Sequence, residues 1–167
     1  MDTILLIIIG VLSRLVPHPA NVTAVGALAV FSGSRYSTTK ALVITIITML
    51  VSDVVLGFHS VMWATYGSFA LSVLLASHFL RKQSLIRIAG ITLTSSIIFY
   101  LVTNFAVWVI PGSMYPKTLA GLMESYIMAL PFFRNSLIGD FSYTALFFGS
   151  YAVMKVLFPR PKNFSLK

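Results

Sequence analysis

Four long apolar runs, at residues 39–57, 62–80, 86–110 and 136–158, constrain what this chain can fold into more than any other feature. A bilayer's hydrocarbon core is about 30 Å thick and takes roughly 20 helical residues to cross. Each run is about that long, and each is bounded by charge, glycine or proline. Only 10% of the 167 residues are charged and 57% are hydrophobic, whereas a soluble domain carries roughly 25% charged residues. The expected fold class is therefore an all-α integral membrane protein, with residues 1–167 forming a single transmembrane domain.

Two further apolar segments, 3–16 and 22–34, are short. Between them lies Pro17-His18-Pro19-Ala20-Asn21, where proline rings remove backbone donors and helix hydrogen bonding must fail. They read either as two short helices or as one broken span. The first carries no basic n-region and no convincing cleavage signal, so we expect a retained helix rather than a signal peptide. Residues 118–130 are apolar but too short to cross, and an external or re-entrant helix is expected there before the last span.

Charge distribution orients the spans, because cytoplasmic loops collect Lys and Arg near span ends. Of the 12 basic residues, Arg35, Lys40, Arg81, Lys82, Arg87, Lys155, Arg160, Lys162 and Lys167 fall on one side if both termini face inward, leaving Arg14, Lys117 and Arg134 outside. With the two short segments counted as separate helices this gives about six transmembrane helices with both ends inside, the first two short or broken; counted as one broken span they give five with the N-terminus outside, and six is the expectation. The division also removes the usual meaning of a +8 net charge: the cations punctuate apolar runs instead of forming a basic face, so no nucleic-acid partner is expected. The chain has no cysteine, which excludes disulfides and thiolate metal sites. No nucleophilic triad or metal-protease helix pattern accompanies its histidines, so neither an enzyme nor a cofactor is expected.

Polar groups inside a bilayer are costly and face a bundle interior or a cavity. Here they gather toward the outer side, with Asp53, Asn104, Trp108 and Asp140 in the outer parts of spans and Arg14, His18, Asn21 and His59 in the outer connections. The expected substrate-binding set is Arg14, His18, Asn21, Asp53, His59, Asn104 and Trp108. Arg14 is the natural counter-ion of Asp53, while Asn104 and Trp108 share a helix face at i,i+4. His18 and His59 lack a compact ligand spacing, so no metal site is expected. Ala20, Ala24, Ala29 and Gly33 follow small-xxx-small spacing, which permits close helix approach. Internal packing is their first reading and docking of a membrane partner their second. The basic ends are also suited to anionic lipid of the surrounding bilayer.

The stretches Arg14-Leu15-Val16-Pro17-His18-Pro19-Ala20-Asn21-Val22-Thr23-Ala24-Val25-Gly26-Ala27-Leu28-Ala29, Ser52-Asp53-Val54-Val55-Leu56-Gly57-Phe58-His59 and Thr103-Asn104-Phe105-Ala106-Val107-Trp108 carry a family resemblance. They resemble an uncharacterised family of small candidate membrane transport proteins, related to the substrate-binding S-components of energy-coupling factor (ECF) transporters. The resemblance implies an S-component-like bundle in the cytoplasmic membrane of a bacterium or archaeon. It also implies capture of a vitamin or cofactor precursor in an outward pocket, and delivery to a transmembrane coupling subunit that works with two ATPases. S-components meet that subunit through an Ala-x-x-x-Ala face on their first helix, whereas Ala20 and Ala24 here lie at the proline break. Two other readings stay open: a self-sufficient small transporter, and a structural or assembly protein whose polar groups only lock helices together.

Overall fold

The computed structural model describes residues 2–158, and every element among them is helical. In chain order these are α1 (Thr3–Leu15), α2 (Val25–Arg35), α3 (Thr38–Leu56), α4 (Met62–Phe79), α5 (Leu85–Val109) and α6 (Leu119–Leu157). Four of them start on a side-chain cap of the kind that satisfies an orphan backbone donor. Asp2 accepts from Ile4 N, Ser37 from Lys40 N, Ser84 from Arg87 N and Thr118 from Gly121 N.

The first two apolar segments are two separate helices. Pro17 and Pro19 stop α1, and Asn21 takes a left-handed φ of 66° in the return toward α2. At 1.5 Å per residue α2 is only about 16 Å long, yet it sits at the centre of the bundle against all five other helices. Nine of its 11 residues are buried. Small side chains make this possible: a Cβ at Gly33 would come within 2.6 Å of the Val73 carbonyl oxygen, and one at Gly26 within 2.1 Å of Asp140 Oδ1.

Contacts alternate in direction along the chain. Leu6, Ala27, Leu28 and Phe31 join α1 to an antiparallel α2. Val25 meets Met49 and Phe69, which sets α3 antiparallel and α4 parallel to α2. Thr92 meets Thr144 and Ser96 meets Asp140, so α5 and α6 run antiparallel. The chain thus goes up and down, and α1 begins at the end of the bundle where α6 finishes. That end also carries Arg35, Lys40, Arg81, Lys82, Arg87 and Lys155, with the Arg35 guanidinium 3.9 Å from the Tyr151 ring centroid. Arg160, Lys162 and Lys167 lie outside the described residues.

Inside the helices, hydroxyls bond back to their own backbone, as the apolar surroundings require. Thr45, Thr48, Ser52, Ser68 and Ser72 each donate to the carbonyl four residues earlier. Among the described residues two helices, α3 and α5, are long and apolar enough to cross a membrane. The run at 62–80 corresponds to α4, where Thr65, Tyr66, Ser68, Ser72 and His78 dilute the apolar character.

Two expectations are corrected. Residues 118–130 do not form a separate external or re-entrant helix: they open α6, which continues for 39 residues with Pro131 inside it. Pro131 lacks the N–H that would bond the Ile127 carbonyl, but Tyr100 holds both flanks, donating to the Tyr126 carbonyl and placing its ring 4.7 Å from that of Phe133. The small-residue stripe is not a free docking face either. Ala24, Ala29 and Gly33 are buried, the last two against Val73 of α4, and only Ala20 is exposed. Close approach of α2 to its neighbours uses that surface up.

Candidate ligand-binding pocket

At the end of the bundle opposite the basic one, the helices part around a cavity of about 440 Å³. Arg14, on the last turn of α1, forms one wall. Its Nη2 lies 2.6 Å from Asp53 Oδ1, and its Nη1 donates to Ser52 Oγ at 2.5 Å and to the Met49 carbonyl at 3.3 Å. Asp53 is fully buried behind it and receives a 2.7 Å hydrogen bond from the Tyr66 hydroxyl on its other oxygen. Asp53 therefore aims and neutralises Arg14 rather than lining the cavity.

Asp140 reaches the same space from α6. Ser96 Oγ donates to its Oδ2 at 2.6 Å, and its Oδ1 occupies the room left by the missing side chain of Gly26. Ser96 is near the middle of α5, so this carboxyl group lies deep in the bundle. The proline break is fixed over the cavity by Asn135 Nδ2, which donates to the Ala20 carbonyl at 3.0 Å, and by Gly139, whose bare face lets the Val22 backbone approach. Ser13 Oγ takes the N–H of Ala24. Phe69 and Phe99 form an apolar wall, stacked with ring centroids 5.0 Å apart and 25° between planes.

Of the expected site residues, Arg14, His18, Asn21 and His59 line this cavity. The ring of His18 is held by a 2.6 Å bond between Nδ1 and the Val16 carbonyl. Asn104 lines a smaller adjoining space of about 180 Å³ that shares Asn21, Thr65, Phe99 and Ser136 with the first. Its Nδ2 donates to the Tyr100 carbonyl of its own helix. Trp108 borders neither space. Its Nε1 donates to the Pro116 carbonyl at 2.9 Å, and Lys117 lies 5.7 Å from its ring centroid while donating to the Trp108 and Ile110 carbonyls. One turn beyond Asn104, the indole thus bonds to the α5–α6 connection and helps pin it.

Asp140, Gly26, Thr65, Phe69, Phe99 and Ser136 belong to the cavity and were missing from the expected set. The signal for Asp140 was present, an acid in an apolar run, but starting the last helix near 136 put it at a helix end rather than mid-bundle. Among the described residues no three His, Cys, Asp or Glu side chains converge on a position for a metal ion.

No curated protein and no solved structure matches the chain. A family of unknown function, DUF6580, matches it over residues 1–161, and the chain belongs to that family.

Proposed function

We propose that this protein is a membrane subunit that captures a small molecule from the extracytoplasmic side and passes it to an energy-coupling module. The observation that carries this reading is the cavity itself: about 440 Å³, open at the end away from the basic cluster and floored by a carboxyl group deep in the bundle. That volume falls within the range of small-molecule sites, and a few convergent polar groups against aromatic walls are the usual means of fixing a ligand's orientation.

The reading takes the six helices as a membrane bundle with both ends on the cytoplasmic side, and the placement of the basic residues supports that. Arg35, Lys40, Arg81, Lys82, Arg87 and Lys155 share one end, as positive-inside sorting demands. Arg14, at the other end, is neutralised by Asp53. The short α2 and the broken backbone at Pro17–Asn21 suit a membrane setting because protein surrounds α2 and the break borders a cavity. The resemblance of the chain's motifs to a small uncharacterised family related to ECF S-components is the ground for a vitamin or cofactor precursor as cargo, a bacterial or archaeal cytoplasmic membrane as location, and a transmembrane coupling subunit with ATPases as partner.

The test is a thermal-shift screen of the detergent-purified protein against vitamins, nucleobases and cofactor precursors. A true ligand at 100 times its Kd adds about 2.7 kcal/mol of native-state stability. We expect a saturable shift that Asn21→Gly, which tolerates the same left-handed φ, reduces or abolishes. A well-folded sample that shifts with nothing in such a library, or a hit indifferent to cavity substitutions, overturns the reading in favour of a structural role.

A further inference from the structure

We infer that the pocket selects a cationic or amidine-bearing flat ring, its positive end on Asp140 and its ring against Phe69 and Phe99. This deepens the capture reading and rests on it.

The charges in and around the cavity are unequal in what they leave available. Arg14 is already compensated, with Asp53, Ser52 and the Met49 carbonyl on its two terminal nitrogens. An anion arriving there has to compete with a fully buried carboxylate held 2.6 Å away and backed by Tyr66. Asp140 is the opposite case. Its one hydrogen-bond partner is the neutral Ser96 hydroxyl, and no Lys, Arg or His comes within ion-pair distance of it among the described residues. A carboxyl group deep in a bundle without a counter-charge is costly, and a cation delivered by a ligand relieves that cost. The chain is shaped for this carboxyl group: Gly26 leaves open the space that Asp140 Oδ1 fills, where any Cβ would stand 2.1 Å away. Phe69 and Phe99, stacked on each other, line the same cavity and supply an aromatic wall against which a planar cation can pack.

The test uses the full-length protein in detergent and three probes that share one ring system: the amidine, the amide and the carboxylate of naphthalene. Binding is read by calorimetric titration and by thermal shift. The amidine should bind saturably and at least about thirty-fold more tightly than the amide, the ratio expected for losing a buried charge partner, with the carboxylate weakest. Asp140→Asn should bring amidine and amide to similar affinities. The order among the probes is read on the wild-type protein, so it remains decisive if that variant fails to fold. A preference for the carboxylate or the amide overturns the cation assignment and leaves capture standing, as does an amidine preference that survives Asp140→Asn. Absence of saturable binding by all three overturns the cation assignment, while capture itself stands or falls on the library screen.

Discussion

Removing Arg14 should harm the fold far more than its place on a cavity wall suggests. The Arg14 side chain is 15% exposed and that of Asp53 1%, with 2.6 Å between Nη2 and Oδ1. At an effective dielectric of about 20, attraction at that distance is about 6 kcal/mol before desolvation is subtracted. Arg14→Met strands the Asp53 carboxylate with only the Tyr66 hydroxyl, and breaking a buried pair from one side costs about 3–5 kcal/mol. Asp53→Asn is milder, about 1–3 kcal/mol, because the guanidinium keeps Ser52 and the Met49 carbonyl and reaches the open cavity. In the double variant no charge is stranded, so its loss should fall well short of the two single losses added together. Reversible unfolding in mixed micelles, run as a double-mutant cycle, measures this. Strict additivity, or a loss below about 1 kcal/mol for Arg14→Met, would refute the claim that Asp53 needs Arg14 as its counter-ion.

Two other substitutions probe the architecture. Gly33→Ala places a Cβ 2.6 Å from the Val73 carbonyl oxygen and 2.9 Å from Ala76 Cβ; α2 and α4 must separate, and unfolding measurements should show a loss of about 1–3 kcal/mol despite alanine's better helix propensity. Trp108→Ala removes the indole bond to the Pro116 carbonyl, so hydrogen exchange across 110–118 should accelerate while any ligand-induced thermal shift persists; loss of that shift would return Trp108 to the binding set.

What the sequence made legible was local. The runs at 39–57, 62–80 and 86–110 end within a residue of α3, α4 and α5, because capping residues, Gly57 and Pro111 act on their immediate neighbours. Pro131 misled for the complementary reason: its rule is local, but Tyr100 and the surrounding turns of α6 outweigh one missing hydrogen bond. Arg14 could be named in advance, since a charge in an apolar run has few places to go, whereas Asp140 was placed at a helix end and left out. Phe69 and Phe99 could not, because an apolar ring reads the same whether it faces lipid, core or cavity. The i,i+4 spacing of Asn104 and Trp108 gave a shared helix face correctly but carried no information about the chain that folds back over the outer turn.

The central placement of α2 makes the bundle an all-or-none assembly. An isolated helix of 11 residues is too short to hold itself together, and this one is built largely from glycine, alanine and serine, which offer a partner little to grip until several are present at once. Its order is therefore borrowed from the five helices around it. None of them can peel away without uncovering a segment that then has no reason to stay coiled, so damage at any face should register as loss of the whole arrangement instead of local fraying.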